Sequence, residues 1–390
     1  MTAPLDPLVQ RMRPYTSSIF ADMSALAVAT GAINMGQGFP DTDGPPEVIA
    51  AAVDALRSGH NQYPPGAGIP ELRSAVAAHQ RRHYGIELDP DTQVLITMGA
   101  SEALASVILA CCGPGDEVLT FEPWFDLYAA AIDLAGARRR TVTLRPPDLA
   151  LDVDALRRAV TPATRMLLLN SPHNPTGKVF TADEVASIAE VCVEHDLIAV
   201  TDEVYEHLTF DGRPHVPLAT MPGMAERTLS ISSAGKTFSV TGWKVGWATG
   251  PVPLVRATRT VKQNLSFAGG TPLQYAVAHA LSLPDVVVAG LRDDLQSKRD
   301  RLVSGLRATG FETFQPQGTY FVTVDVRSVG MADGPAFCRE LPERAGVVAI
   351  PNAVFYDDPA TGLPYVRFAC CKQDHVLDEA IDRLVAAFAS

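Results

Sequence analysis

Residues 165–207 read RMLLLNSPHNPTGKVFTADEVASIAEVCVEHDLIAVTDEVYEH, and this stretch decides the fold. Arg165–Asn170 is an apolar run of strand length that ends in a turn rich in Asn, Pro and Gly. Thr181–His195 then carries apolar residues at helical spacing, opened by a Thr181-x-x-Glu184 capping box. Leu197–Asp202 is a second apolar run, and it stops at an acid. Strand, helix, strand in about forty residues calls for a parallel pair of strands with the helix packed across them.

Working outward, the same grammar recurs. Val94–Thr97, Glu117–Phe121 and Thr228–Ser232 read as strands, with helices at Ser101–Cys111 and Phe125–Leu134 between them. The expected fold class is α/β, with a mostly parallel central sheet covered by helices on both faces. Ligands of such sheets sit beyond the carboxyl ends of the strands, so the residues after Thr97, Asn170 and Thr201 are the first candidates. After Pro284 the pattern changes. A long helical stretch to Thr309 precedes Thr319–Val326, a helix at Ala336–Arg344, short strands at Val347–Ile350 and Tyr365–Ala369, and a closing helix. The closing helix repeats apolar residues at Val376, Leu377, Ala380, Ile381, Leu384, Val385 and Phe388. The expected organisation is an arm at 1–40 that contributes to the small domain, a large domain at 41–283, and a smaller α+β domain at 284–390.

Composition sets the limits of function. The chain has 390 residues, 47% of them apolar and 19% charged, which excludes a disordered, collagenous or coiled-coil chain. Asp plus Glu number 44 against 32 Lys plus Arg, and the net charge of −12 argues against nucleic acid or an anionic membrane as a partner. The clusters Arg81-Arg82-His83 and Arg138-Arg139-Arg140 read as solvated faces. No apolar run approaches the ~20 residues of a membrane span, and the first thirty residues lack a signal core, so a cytoplasmic location is expected. Six cysteines without a C-x-x-C read as small core residues. His79 and His83 share a helix face at i, i+4, yet no acidic base follows His79. They read as an exposed helix face, and no metal is expected.

The chemistry concentrates in residues 232–244, SSAGKTFSVTGWK. Lysine is scarce, six against 26 arginines, yet two of the six fall here. Lys236, on a turn leaving an apolar strand, is placed to be partly desolvated, which lowers an amine's pKa and frees it as a nucleophile. Asp202 ends a central strand, where a carboxylate is costly unless a cation faces it. Other motifs fail: Gly36-Gln-Gly38 lacks the third glycine of a dinucleotide fingerprint, and Gly99-Ala-Ser101-Glu-Ala lacks the second glycine of a nucleophile elbow.

Together with INMGQGFPD from Ile33, NQYPPGAG from Asn61, EPWFDLY from Glu122, NSPHNPTGK from Asn170, TDEVYEHL from Thr201, GTYF from Gly318 and YVRF from Tyr365, these residues give the chain a resemblance nearly end to end. It resembles the fold type I, class I/II pyridoxal-phosphate-dependent aminotransferases. Within them it is similar to the branch of kynurenine, methionine and actinobacterial N-succinyldiaminopimelate aminotransferases.

The resemblance implies pyridoxal 5′-phosphate as cofactor, with Lys236 as the amine that binds it and later moves the proton at the substrate Cα. It implies Asp202 as partner of the ring nitrogen, and Tyr205 and Asn174 as hydrogen-bond partners of the ring oxygen. Gly99, Ala100 and Ser101 would hold the phosphate at a helix start, with Ser233 and Lys244 completing the cup. Tyr63 would reach it from the second subunit of a homodimer. Phe125 would stack on the ring, Arg367 would grip the substrate α-carboxylate, and Gly36 would leave room beside it. The implied reaction moves an amino group from an L-amino acid to a 2-oxo acid, with the 2-oxoglutarate/glutamate pair as partners. Two substrate readings stay open: N-succinyl-LL-2,6-diaminopimelate of lysine biosynthesis, or kynurenine or methionine with β-elimination from cysteine S-conjugates. The side-chain pocket is expected from Tyr15–Phe20, Trp124 and Ser266–Thr271, a set without a second arginine. A ligand-sensing regulator on the same fold is disfavoured, because the acidic chain shows no added DNA-binding segment.

Overall fold

The computed structural model describes residues 7–388. Its centre is a seven-stranded sheet of β1 (Val94–Met98), β2 (Glu117–Glu122), β3 (Arg138–Thr143), β4 (Thr164–Asn170), β5 (Ile198–Asp202), β6 (Thr228–Ser233) and β7 (Val245–Thr249). The spatial order is β1-β7-β6-β5-β4-β2-β3. Six strands run the same way, and β7 pairs antiparallel with both β6 and β1.

The unbroken apolar run of β4 follows from burial on both faces. Met166 and Leu168 join the core formed with the helices Gly99–Cys111 and Asp126–Ala135, whereas Leu167 and Leu169 join the core formed with the helix Ala182–Glu194. Side chains of a strand alternate in direction, so a strand between two helical layers needs an apolar residue at every position. Each fully buried leucine contributes roughly 1.5–3 kcal/mol. The helix Ala182–Glu194 starts as its sequence requires, with Thr181 and Glu184 reciprocally bonded in a capping box.

A four-stranded antiparallel sheet follows, made of β8 (Glu312–Phe314), β9 (Phe321–Asp325), β10 (Ile350–Pro351) and β11 (Tyr365–Ala369) in the order β10-β11-β9-β8. Its core draws Met23, Ala27 and Met35 from the amino-terminal segment, and Ile33–Asn34 pairs in parallel with Val347–Val348. Leu377, Ala380 and Leu384 of the closing helix Asp374–Phe388 are its buried stripe. Among the described residues no helix is long and apolar enough to cross a membrane. Five cysteines are buried and Cys111 is partly so.

Two sequence expectations are corrected. Arg138–Thr143 is not merely a solvated face but the edge strand β3, and Arg139 is tied to Asp357. Charged residues suit an edge whose outer backbone groups face water. His79 does not lie on an exposed helix face: it is 3% exposed and packed against His207.

Candidate active site

The carboxyl ends of β1, β4, β5 and β6 open onto one cleft, whose open mouth included spans about 1010 Å³. Sheet register brings its groups together. Asn170 lies opposite Asp202, Asp202 opposite Ile231, and Ser233 opposite Gly246. After β6 the chain makes one helical turn, Ala234–Thr237, and returns as β7, so Lys236 and Lys244 sit on the same lip. Gly246 is required at this return. A Cβ there would stand 2.6 Å from the backbone of Gly99, which itself adopts φ +68°.

Lys236, Asp202, Tyr205, Asn174, Gly99, Ala100, Ser101, Phe125, Ser233, Lys244 and Arg367 all line this cleft. Gly36 meets it through its carbonyl, which accepts from Arg367 at 3.0 Å, while a Cβ on Gly36 would press on Ile350 at 2.9 Å. Tyr63 stands apart, 84% exposed and edge-on to Phe267 at 5.5 Å. Tyr15, Trp124 and residues 266–271 do not line the cleft. Trp124 is buried behind Phe125, under the Arg139 guanidinium at 4.4 Å. Of the expected side-chain wall only Phe20 lines the cleft, and Gln37, Phe39 and Phe321 complete that wall.

Lys236 Nζ donates to Tyr320 Oη at 3.0 Å and to Gly38 O at 3.3 Å, and Tyr320 Oη donates to Gly38 O at 2.6 Å. Burial pulls the amine down from 10.5 to about 8, helped by Arg367 and Lys244 and opposed by Cys371 and Asp202. Asp202 moves the other way. Burial raises its carboxyl from 3.8 to about 6, against a hydrogen bond from Tyr128 Oη at 2.6 Å, the Val204 N–H and the charge of Lys236. No Lys or Arg forms an ion pair with Asp202 among the described residues. Arg367 is 1% exposed. Its two terminal nitrogens donate to Asn174 Oδ1 at 3.1 Å and to Gly36 O, its Nε has no partner, and its plane lies 4.0 Å above the Phe321 ring. Burial lowers its pKa to about 10, so it remains a cation at neutral pH. The cleft thus holds the buried Asp202 carboxyl and the buried cation Arg367 without an ion pair between them, a costly arrangement that an anionic substrate group and a cationic ring nitrogen would relieve.

Sequence reasoning missed Tyr128, Tyr320, Asn170 and Cys371. Tyr128 follows Phe125 by three residues, the spacing that sets two side chains on one helix face, and its ring meets Phe125 edge-on at 5.7 Å. Asn170 Oδ1 accepts from the Asn174 N–H at 2.7 Å, and its amide donates to Asp202 O at 2.9 Å, which holds the turn onto β5. Tyr320 and Asn170 lie inside the quoted motifs. For Cys371 no sequence signal exists.

The model of the family described as aminotransferase class I and II matches residues 30–384. The chain belongs to the class I and II aminotransferases. This aminotransferase is 54% identical to the probable N-succinyldiaminopimelate aminotransferase DapC of Mycobacterium tuberculosis, over 96% of its own length and 97% of that protein's. The solved structure of the N-succinyldiaminopimelate aminotransferase from Mycobacterium tuberculosis superposes with a TM-score of 0.96 at 53% identity, covering 97% of this chain and 100% of that one. The methionine aminotransferase of Escherichia coli is 38% identical over 94% of this chain and 95% of its own length. The aminotransferase uses pyridoxal 5′-phosphate, as its class does, and moves an amino group between an amino acid and a 2-oxo acid. The residues present fit that group: a depressed lysine amine, a buried carboxylate without a cation, and a glycine-lined helix start beside Ser101, Ser233 and Lys244.

Proposed function

We propose that the enzyme transfers the amine of N-succinyl-LL-2,6-diaminopimelate to 2-oxoglutarate, or runs that reaction in reverse. The observation that carries this reading is 54% identity along the whole chain to a protein bearing that name. The lysine-biosynthesis assignment, the homodimer and the cytoplasmic location belong to the same reading.

Pyridoxal 5′-phosphate, when bound, supplies an electron sink for the pair of electrons left at Cα. The residues supply the rest. Lys236 would hold the cofactor through its amine and would move the proton at the substrate Cα, a task suited to an amine with a pKa near 8. Asp202 would pair with the ring nitrogen, Tyr205 and Asn174 would hydrogen-bond the ring oxygen, and Phe125 would cover the ring. Backbone N–H groups of Gly99 and Ala100, with Ser101, Ser233 and Lys244, would hold the phosphate at the amino end of the helix Gly99–Cys111. Arg367, pinned by Asn174 and Gly36, would grip and orient the substrate α-carboxylate. Tyr63, exposed on this chain, would reach the phosphate site of a second subunit. A Tyr63→Phe variant that binds cofactor with unchanged affinity would overturn that role.

One observation favours a second substrate reading. Beyond Arg367 the cleft wall is aromatic, with Phe20, Phe39 and Phe321, and offers no further arginine. That suits the side chain of kynurenine or methionine, and elimination from cysteine S-conjugates follows whenever a leaving group sits at Cβ. An amine-transfer assay with 2-oxoglutarate as acceptor decides. Turnover of kynurenine or methionine without any of N-succinyl-LL-diaminopimelate refutes the first reading.

A further inference from the structure

Three imidazoles converge below the segment that follows β5. His79 and His83 project from the helix Pro70–Tyr84, and His207 comes from the chain two residues beyond Tyr205. Their ring centroids are 4.6, 4.8 and 5.0 Å apart, and one ligand nitrogen from each lies within 4.8 Å of the others. His79 Nε2 and His207 Nε2 are 2.7 Å apart, the separation of a hydrogen bond between two imidazoles.

We propose that His79, His83 and His207 form a binding site for one divalent transition-metal ion of the zinc class, held by three neutral imidazoles with a fourth position open to water. The spacing agrees with the chemistry. A tetrahedral ion with nitrogens at ~2.05 Å places pairs of imidazole centroids about 5.2 Å apart and pairs of ligand nitrogens about 3.3 Å apart. The centroids, at 4.6, 4.8 and 5.0 Å, already stand near that separation. The His79 and His207 nitrogens, 2.7 Å apart, must open, and the widest nitrogen pair, within 4.8 Å, must close, by side-chain rotations of about an ångström.

Charge supplies an independent reason. Glu206, 3% exposed, lies beside His79 and His207 and is not ion-paired to Lys or Arg among the described residues. It accepts from Ser232 through one oxygen, and its other oxygen has no hydrogen-bond partner. Glu203 lies further out, against His215 at 3.4 Å, and accepts from Thr201 and Ser230. A buried carboxylate without a cation is expensive, and a divalent ion on the adjacent imidazoles offsets it. Asp285 stands 3.7 Å from His83 at the rim, where the Arg82 Nε–H donates to His83 Nε2 at 3.2 Å, a contact that ion binding through that nitrogen would displace. Gln80 provides the outer support. Its amide nitrogen is 3.5 Å from His79 Nδ1 and its oxygen has no partner, so flipping the amide gives Nδ1–H an acceptor while Nε2 binds the ion.

The test uses the cofactor-loaded enzyme and Co²⁺ alone, followed by competition with Zn²⁺. The expected result is one ion per chain, with visible d–d bands of tetrahedral intensity that zinc abolishes. His83→Ala, at a half-exposed position, should weaken affinity by more than roughly tenfold. His375→Ala, on a remote surface helix, should leave it unchanged. Absence of the bands, or equal affinity in the His83 variant, would overturn the site. If His83→Ala does not fold, the bands of the unaltered enzyme and their abolition by zinc still decide.

Discussion

Replacing Asp202 by asparagine should make the cofactor-free enzyme more stable while disabling it. The carboxyl is raised from 3.8 to about 6, so the folded chain holds an extra proton between those values. For an acid shifted upward, stability falls as pH rises through that window, from no cost below 3.8 to the full cost above about 6. Roughly two units at ~1.4 kcal/mol each give about 3 kcal/mol at pH 8. The same linkage leaves about 1 kcal/mol at pH 4.5. Asparagine keeps the acceptor for Tyr128 Oη but carries no charge, so the variant escapes this cost. Urea denaturation of both cofactor-free proteins at the two pH values measures the difference. The variant should exceed the parent by about 3 kcal/mol at pH 8 and by about 1 at pH 4.5. Its affinity for pyridoxal 5′-phosphate should fall, because the paired ring-nitrogen cation is what offsets the buried carboxylate in the loaded enzyme. A variant less stable than the parent at pH 8, or a gap independent of pH, refutes the reasoning.

Two further outcomes follow from the same cleft. Because the Lys236 amine sits at about 8, capture of the cofactor by the stripped enzyme should accelerate with pH up to about 8 and level off above it, and borohydride should then mark the single peptide containing Lys236. A profile that rises only near the ordinary lysine value contradicts the burial argument. Arg367→Lys keeps the charge but loses the planar fork, and the loss of one charge-assisted hydrogen bond, ~1.5–3 kcal/mol, should lower kcat/KM roughly 10- to 100-fold. Steady-state kinetics with an amino donor checks it, and an unchanged value removes Arg367 from carboxylate recognition.

Much of the cleft was legible because strand ends and turn chemistry are local properties. Asp202 and Lys236 announced themselves as charges at the ends of apolar runs, and the fold class followed from the β4 to β5 stretch alone. Tyr128 and Tyr320 were harder. Each lies in a motif already noticed, but a tyrosine in an apolar stretch reads as core until the position of its hydroxyl is known. Trp124 shows the reverse error: adjacency to Phe125 in sequence suggested the pocket wall, yet successive residues at a helix start point in different directions, and only Phe125 faces the cleft. The antiparallel return of β7 left no clear mark in the sequence, because its direction is set by the tight Gly246 to Gly99 approach rather than by its own composition.

The amino-acid sequence by itself determined the alternation of strands and helices, the buried faces of β4, and the residues that end its strands, since periodicity and capping act over a few neighbours. Only the tertiary structure decided that His207 meets His79 across 128 positions, that Tyr128 reaches Asp202 across 74, and that Arg367 is pinned by Gly36 across 331. Such contacts depend on where a packed sheet brings distant strand ends together. Burial, which moves the Asp202 and Lys236 pKa values toward each other, is likewise a property of the assembled core.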